Sequence, residues 1–565
     1  MKLPYGISDF RALREEGYLY IDKTSYIEKL ENLSAKYLFF IRPRRFGKSL
    51  FLSTLSHYYD INQTNNFEKL FGDLYIGQNP TKLRNSYLIL KLNFSGLNTD
   101  NEDRLENSFR LSLIDAIFDC LDRYKKYFDN GLEIKARIKD IEDIGAILSI
   151  FITAVKKLEQ KVYLIIDEYD HFANDIIAMG ESKFYKNIIR ATGFVRDFYE
   201  TVKIGTESVI DRIFITGISP IMLDDLTSGF NIASNLTMNP ILNEMLGFTE
   251  DEVNRIISEF NMIDDKLSLV ELKNNYNGYL FNHRGKKRVY NPDMVLYFFN
   301  QWQMTGFYPE DLIDENVKTD YGRLNRLVSN EENRWVLEEI ILNEGIVADL
   351  VTKFSFDRMY DDEYFVSLLF YMGLLTIDRR ERMRLFLKIP NYVVKTIFWE
   401  YIEKSLESRF EIRLSTNELR KSIENLAYDG QIKPYIDYIS ENVLKRLSNR
   451  DLQNFDEKYI KVILFSYLVD SKAYKPVSER EVEKGYIDIY LEKDLRMPDV
   501  EYEWIIELKY LKKSDRDKLD EVKAEGLKQL EDYARSKSFE DREKVKKVLL
   551  VFVGKEEYHL IEHWD

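Results

Sequence analysis

The feature that most constrains the fold of this chain is the segment from Tyr37 to Leu55, YLFFIRPRRFGKSLFLSTL. Its apolar start, YLFFI, is typical of a buried parallel strand, and LFLSTLSHYYD has the apolar spacing of a helix. The loop between them ends in Gly47-Lys48-Ser49. This order of elements is the context of a phosphate-binding loop, because backbone N–H groups at a helix N-terminus face the phosphates. Arg42 stands where such a loop has its first glycine, so the segment alone leaves both a nucleotide site and an ordinary basic turn open.

A second strand-like segment, KVYLIIDEYD from Lys161 to Asp170, favours the nucleotide site. Its apolar run ends in Asp167 and Glu168, which is the pattern of a Walker B strand. In such a site Lys48 reaches the β- and γ-phosphates, and the Ser49 hydroxyl helps to hold Mg²⁺. Asp167 binds the same ion, and Glu168 polarises the attacking water. The alternative is a strand that merely continues into an acidic loop.

The rest of the first 245 residues alternates strands with helices. Strand-like runs are predicted at Tyr87–Leu97 and Arg212–Ile221, and helical spacing at 103–126, 142–159 and 181–201. This alternation predicts an α/β domain with a parallel sheet flanked by helices. The second run ends in Thr216, which we expect to be either a polar sensor of the γ-phosphate or a residue that caps a turn.

Four segments resemble the bacterial AAA-ATPase-like proteins: KLPYGISDFRALREEGYLYIDKTSYIEKL, FFIRPRRFGKSLFLSTL, LIIDEYD and ITGISPI. In that family RPRRFGKS is the usual form of the phosphate loop. The resemblance implies that ATP and Mg²⁺ are cofactors. The nucleotide-binding residues that it implies are Gly47, Lys48, Ser49, Asp167 and Thr216. It also implies phosphate contacts from Arg44 or Arg45, for which a solvated basic loop is the alternative.

Two further units are predicted between residues 246 and 426. Residues 246–325 are predicted to form a small helical lid that begins with a helix capped by Thr249, with Glu252 three residues further on. Residues 326–426 have the spacing of amphipathic helices, with a strand pair in GLLTIDRRERMRLFLKIP. This pair resembles the β-wing of a winged-helix module.

The C-terminal unit, residues 427–565, contains strand patterns in GYIDIYLE, YEWIIELKYL and KKVLLVFVG and helical patterns between them. Alternation along the strands points Asp488 to one face, and Glu507 and Lys509, two residues apart, share a face. If the two strands pair, two carboxylates and an ammonium group converge among apolar neighbours. Metal-dependent phosphodiester hydrolysis uses such a set, whereas a solvated face or a cross-strand ion pair is the alternative. Asp499 lies in a predicted polar hairpin and is rejected in favour of Asp488.

A strand with Asp, a strand with Glu-x-Lys and a following helix resemble the PD-(D/E)XK nucleases. The resemblance implies that Asp488 and Glu507 hold one or two Mg²⁺ or Mn²⁺ ions and that Lys509 positions or deprotonates a water molecule. It adds Gln529 as a polar residue near the site and Glu457 as a further carboxylate of the metal shell. The catalytic residues predicted for the whole chain are Glu168, Asp488, Glu507, Lys509 and Gln529.

Composition limits the remaining expectations. The net charge of −15 means that any role with nucleic acid must rest on local sites. One cysteine, Cys120, excludes an intramolecular disulfide framework and a cysteine-based zinc site. The first residues lack the apolar core of a signal peptide, and no apolar run reaches the roughly 18 residues of a membrane span. A cytoplasmic location is therefore expected.

Together these observations predict an α/β protein in which a P-loop ATPase domain, a helical or winged-helix-like middle and a restriction-endonuclease-like domain follow one another. The expected function is ATP binding and hydrolysis fused to a Mg²⁺-dependent nuclease, with ATP gating the cleavage. The expected partner is nucleic acid, with DNA favoured over RNA, and no membrane association is expected. Whether the chain forms a homo-oligomer is left open. The alternative is a nucleotide-dependent switch with little turnover, whose nuclease-like half binds nucleic acid or a partner. A third possibility is a toxin or defence factor that degrades nucleic acid only when it is triggered, with the same chemistry at its site.

Overall fold

The computed structural model describes residues 1–178, 182–189, 193–222, 230–262, 267–315, 317–318, 331–354, 361–447, 456–469, 471–482, 485–534, 539, 542 and 544–563. The chain divides into two units. The first comprises Met1–Met304, Leu312–Ile340 and Glu344–Tyr392, and the second comprises Thr305–Asp311, Ile341–Asn343 and Val393–Asp565. The four domain ranges predicted from the sequence stay predictions, and residues 325 and 326, where two of them meet, lie outside the described residues.

The first unit is built on a sheet of five parallel strands. They are β1 (Tyr37–Ile41), β2 (Leu88–Asn93), β3 (Val162–Asp167), β4 (Ile210–Gly217) and β5 (Ser234–Asn235). Their order is β2-β3-β4-β1-β5, so β4 lies between the strand that precedes the Gly-Lys-Ser loop and the strand that ends in Asp167. All six residues of β3 are buried, as expected for a parallel strand covered on both faces. The carboxyl ends of β1, β3 and β4 therefore meet at one edge of the sheet.

Helices connect these strands and cover the sheet, which confirms the predicted alternation. They are α1 (Phe10–Glu15), α2 (Ser25–Glu31), α3 (Lys48–Tyr59), α4 (Phe67–Phe71), α5 (Tyr75–Gln78), α6 (Glu102–Arg123), α7 (Gly131–Lys139), α8 (Ile144–Lys156), α9 (His171–Ala178), α10 (Ser182–Ile189) and α11 (Phe194–Thr206). Side chains cap several of them: Asn101 accepts from Arg104 N, and Asp143 accepts from Ala146 N. The helix predicted from residue 181 to 201 corresponds to two helices, α10 and α11.

The remainder of the first unit combines helices with a small antiparallel sheet. The helices are α12 (Glu250–Glu259), α13 (Leu269–Tyr276), α14 (Pro292–Thr305), α15 (Glu331–Leu342) and α16 (Asp362–Tyr371), and the strands are β6 (Gly345–Ala348), β7 (Thr376–Glu381) and β8 (Arg384–Lys388). Thr249 and Glu252 form the predicted capping box at the start of α12. The predicted strand pair is β7 with β8, and β6 joins it in the order β6-β8-β7. The sequence missed β6 because four residues are too few to show a strand period.

The second unit contains a five-stranded mixed sheet and its own helices. The helices are α17 (Tyr392–Arg409), α18 (Thr416–Glu424), α19 (Lys433–Asn442), α20 (Glu457–Val469) and α21 (Leu519–Ala534), and the strands are β9 (Tyr474–Val482), β10 (Gly485–Lys493), β11 (Glu503–Leu511), β12 (Val545–Val553) and β13 (Glu557–His563). The order is β13-β12-β11-β10-β9, in which β11 and β12 run parallel and the other neighbours antiparallel. The sequence missed the two edge strands, β9 and β13, because they are only partly buried and carry many polar residues.

None of the described helices is both long and apolar enough to cross a membrane.

Candidate functional site

The loop after β1 turns at Arg45 and Gly47, not at Arg42. Gly47 has φ +84° and is the N-cap of α3, and Arg45 has φ +66°. Glycine adopts this left-handed conformation at little cost, whereas other residues adopt it rarely. Arg42 does not have a positive φ. The loop therefore does not need a glycine at the position that Arg42 occupies.

The side chain of Arg42 is buried beneath the loop, with 1% of its surface exposed. Its guanidinium group lies between two aromatic rings and donates to three backbone carbonyls. The rings are Phe40 and Phe281, at 4.2 and 4.0 Å, and the carbonyls are those of Ile41, Thr237 and Leu242, at 2.9, 2.8 and 3.1 Å. Burial lowers the pKa of Arg42 to about 9, which leaves the group charged near neutral pH. Arg42 thus joins β1 to the segments that follow β5.

Lys48, Ser49 and Asp167 meet at the start of α3 and the end of β3. Ser49 Oγ donates to Asp167 Oδ2 at 2.7 Å, and Asp167 Oδ1 is buried without a hydrogen-bond partner among the described residues. Lys48 Nζ donates to the carbonyl oxygens of Arg42 and Pro43, at 3.0 and 2.9 Å. Burial lowers the pKa of Lys48, and the charge of Glu168 opposes this effect. A hydroxyl next to an orphaned carboxylate oxygen fits a divalent cation, so these residues suit the Mg²⁺ that accompanies a nucleotide.

Glu168 and Thr216 lie at the same edge of the sheet. Glu168 has φ +52°, and its carboxylate is 4.0 Å from His171 Nε2. Thr216 is buried, and its hydroxyl donates to the carbonyl of Phe40 on β1 at 2.6 Å. This hydrogen bond joins two strands of the sheet. The sensor role of Thr216 and the water-polarising role of Glu168 stay predictions.

A cavity of about 450 Å³ opens beside the loop. Gly47, Lys48, Ser49 and Glu168 line one side of it, together with Arg44 and Arg45. The other walls come from the N-terminal segment and from the chain around residues 245–248 and 292–296. Arg45 Nη1 lies 3.6 Å from Asp293 Oδ2, so part of its charge is offset. The volume lies within the range of about 300–1,000 Å³ that is typical of ligand pockets.

Sequence reasoning gave no role to Asp170, the last carboxylate of LIIDEYD. It is fully buried and accepts hydrogen bonds from Ile218 N, Ser219 N, Ser219 Oγ and Asn174 Nδ2. Asp170 therefore fixes the chain after β4 to the chain after β3. A third acidic residue directly after an apolar strand was the signal that could have found it.

A second cluster of charged residues forms where β10 and β11 diverge. The two strands pair from Ile489 with Ile506 to Leu491 with Trp504. Beyond this pairing, Asp488 Oδ2 accepts from the backbone N–H of Leu508 at 2.9 Å.

The predicted carboxylates and lysine are brought together at this point. Glu507 is 1% exposed, and its Oε1 is 2.6 Å from Lys509 Nζ. Lys509 Nζ is also 3.9 Å from Asp488 Oδ2.

Burial changes the electrostatics of this cluster. Burial and the neighbouring charge of Asp488 raise the pKa of Glu507 to about 8, and burial raises the pKa of Asp488. Burial lowers the pKa of Lys509, but its hydrogen bond and charge interaction with Glu507 outweigh this, so the pKa lies above its ordinary value. Within the described part of the chain, Glu507 Oε2 is buried and has no hydrogen-bond partner. The cluster is therefore partly shielded from water, and its acidic side chains suit a bound cation.

Glu457 and Gln529 lie on the two helices next to this cluster. Glu457, at the start of α20, accepts from Tyr510 N at 3.0 Å, and burial raises its pKa. Gln529, on α21, has a buried Oε1 that no described residue contacts by a hydrogen bond. In the described part of the chain no three Asp, Glu, His or Cys side chains converge closely enough to form a metal shell. Asp488 and Glu507, with the orphaned Oε2, fit a divalent ion whose other ligands are water or phosphate oxygens.

Lys461 is a further charged residue near this cluster that sequence reasoning missed. It is buried on α20, and its Nζ lies 2.7 Å from Glu479 Oε1. Its positive charge, with that of Lys509, opposes the burial that raises the pKa of Asp488. No local pattern marks Lys461, since it sits within an apolar helical run. The rejected Asp499 is exposed in the turn between β10 and β11.

Comparisons with known proteins match two segments of the chain. Residues 4–227 match the family model of a predicted AAA-ATPase. Residues 455–563 match the model of the PD-(D/E)XK nuclease superfamily. The first segment contains β1 to β4 with the Gly-Lys-Ser loop, and the second contains β9 to β13 with Asp488 and Glu507. The chain carries a predicted AAA-ATPase domain followed by a PD-(D/E)XK nuclease-superfamily domain, as the sequence predicted.

Two individual proteins are also similar to this chain. An uncharacterized protein in the vnfD 5′ region of Azotobacter chroococcum mcd 1 is 25% identical over 405 residues, which are 70% of this chain and 68% of that protein. The Walker-type ATPase PABY2304 of Pyrococcus abyssi aligns with 70% of this chain and 98% of its own, at a TM-score of 0.39 and 13% identity.

Proposed function

We propose that the protein binds and hydrolyses ATP with Mg²⁺ at the first site and cleaves nucleic acid with a divalent metal at the second. The observation that carries the proposal is the convergence of Asp488, Glu507 and Lys509 where β10 and β11 diverge. The Ser49–Asp167 contact beside a cavity of nucleotide size supports the first half. Both domains belong to superfamilies of enzymes.

At the first site the chain supplies positioning and charge. The backbone N–H groups at the start of α3 and Lys48 bind the β- and γ-phosphates. Ser49 and Asp167 hold the Mg²⁺, which neutralises charge on these phosphates when bound. Glu168 orients a water molecule for attack. The buried Asp170 holds the chain that follows β4 against the chain that follows β3.

At the second site the two carboxylates would hold the metal, which polarises the scissile phosphate and lowers the pKa of a bound water when present. Asp488 is oriented by the N–H of Leu508, and Glu507 by Lys509. The Lys509 ammonium group donates a hydrogen bond to the attacking water and offsets negative charge at the phosphate. The orphaned amide oxygen of Gln529 accepts a hydrogen bond from the water or the sugar. We further propose that the nucleic acid is DNA rather than RNA and that the state of the ATP site gates cleavage.

Separate variants test the two halves. Lys48→Ala should abolish ATP binding measured by calorimetry, and Lys69→Ala, an exposed lysine of the same domain, serves as its control. If the Lys48→Ala variant still binds ATP, the proposal of an ATP site at Lys48 is wrong. Glu507→Ala and Lys509→Ala should abolish Mg²⁺- or Mn²⁺-dependent cleavage of labelled DNA, and exposed Lys512→Ala should not.

The proposal fails for the second site if the purified protein cuts neither DNA nor RNA with either metal. It also fails if Glu507→Ala cuts as well as the wild type. Bound nucleotide without measurable turnover would identify the chain as a nucleotide-dependent switch, and equal cleavage with and without ATP would refute the gating.

A further inference from the structure

The hairpin formed by β7 and β8 carries a concentration of positive charge that neither site uses. From Asp378 to Lys388 the sequence DRRERMRLFLK has five basic and two acidic residues, in a chain whose net charge is −15. The strands close with the pair Glu381 and Arg384, so Arg382 and Met383 form a two-residue turn at the tip. The hairpin belongs to the first unit.

Two of these arginines are not paired with carboxylates. Arg379 contacts Asp378 and Glu381, at 3.0 and 3.2 Å, and Lys388 also contacts Asp378. Arg384 lies 3.6 and 3.5 Å from Asp349 and Glu363. In the described residues, Arg380 and Arg382 form no ion pair, and both are exposed. Arg380 Nε donates to the carbonyl of Arg382 at 3.1 Å, which holds both residues at the tip.

The turn itself combines this charge with an exposed apolar side chain. Met383 is 89% exposed, the highest value of any large apolar residue in the described chain. Arg382 has φ +56°, a conformation for which a hairpin turn normally uses glycine or asparagine. The chain thus places a long cationic side chain where a small residue would cost less. Such a local cost is often found where a side chain contacts a ligand.

We propose that this hairpin binds double-stranded DNA through its minor groove. Arg380 and Arg382 contact the phosphates and the groove, and Met383 inserts between base steps as an apolar wedge. Arginines are attracted to the negative potential of a narrow minor groove, and Met is among the side chains that unstack base steps there. The minor groove of duplex RNA is wide and shallow, which favours DNA as the partner. The inference deepens the proposed action on nucleic acid and rests on it.

The test measures binding without cleavage. The full chain carries Glu507→Gln and is kept in EDTA, and its affinity for an A·T-rich DNA duplex is followed by fluorescence anisotropy over a range of salt concentrations. Arg380→Ala with Arg382→Ala should weaken binding by about tenfold and lower the slope of log affinity against log salt by about 2. The matched control is Arg104→Ala with Arg255→Ala, two exposed arginines of the same unit.

Met383→Ala should reduce the DNA bend measured by energy transfer between the duplex ends, while the salt slope stays unchanged. Circular dichroism checks that each variant is folded. Unchanged affinity of the arginine double variant would overturn the proposal, since the charges would then only protect the edge strand β7. Equal or tighter binding of duplex RNA or single-stranded DNA would also overturn it. Metal-dependent cleavage, tested separately with Lys509→Ala, decides the proposed function independently of this result.

Discussion

Replacing Arg42 by glycine, the residue that a standard phosphate loop has at this position, should damage the protein. The standard motif by itself gives no reason to expect damage, since it has glycine at this position. The structure predicts the opposite, because Arg42 does not have a positive φ and its guanidinium group binds three carbonyls between two aromatic rings. Those carbonyls would lose their buried donor, and the rings would face a cavity.

The magnitude follows from these contacts. Three hydrogen bonds from a charged group, at about 1 kcal/mol each net of desolvation, and two ring contacts of about 0.5–1 kcal/mol each give a loss of about 4 kcal/mol. A domain is stable by only about 5–15 kcal/mol, so this is a large share. A local loss of this size raises the exchange rate of the β1 amides by about a thousandfold if they exchange through local opening.

Hydrogen exchange followed by mass spectrometry measures the loss at β1, and calorimetry measures ATP affinity in the same samples. Arg44→Gly is the matched control, because Arg44 lies on the same loop but is only half-buried. It should lower ATP affinity if Arg44 contacts phosphate, and it should leave exchange at β1 unchanged. The reasoning is wrong if Arg42→Gly leaves exchange at β1 unchanged and binds ATP as tightly as the wild type.

Three further predictions concern single contacts. Ser49→Ala should remove the Mg²⁺ dependence of ATP affinity, as measured by calorimetry with and without EDTA, because Ser49 shares the proposed ion with Asp167. Asp170→Ala should cost about 3 kcal/mol and lower the melting temperature, since it leaves buried N–H groups unsatisfied; unchanged melting would contradict this. The pKa of Glu507 is about 8 in the fold and ordinarily 4.5, so the folded chain binds this proton more tightly than the unfolded chain. Metal-free stability should therefore fall as the pH rises from about 4.5 to 8, and Glu507→Gln should flatten this dependence in melting curves.

Much of the candidate chemistry could be predicted because it is encoded in short segments. An apolar run followed by Gly47-Lys48-Ser49, or by Asp167 and Glu168, specifies a strand end and a set of functional groups at the same time. The alternation in the C-terminal strands likewise placed Glu507 and Lys509 on one face, and they contact each other in the structure. The roles of these residues in binding and catalysis stay predictions.

The elements and residues that were missed depend on partners outside their own segment. The edge strands β9 and β13 are defined by pairing with a neighbour, and their own residues show no continuous apolar run. Asp170 and Lys461 act through partners contributed by other elements, at Ser219 and Glu479 respectively. The local sequence around Asp170 is typical of an acidic loop, and that around Lys461 is typical of a buried helix.

The sequence by itself determined the order of the elements and the identity of the groups at their ends, because strand and helix periods and turn residues are local properties. Only the tertiary structure decided how the loop tolerates Arg42. Arg45 and Gly47 adopt the left-handed backbone conformation, so Arg42 does not need it. The side chain of Arg42 is buried against Phe40 and Phe281 and donates to carbonyls of residues far away in the chain. Burial also raises the pKa of Glu507, since a carboxylate loses its water only when the strands and helices around it pack together.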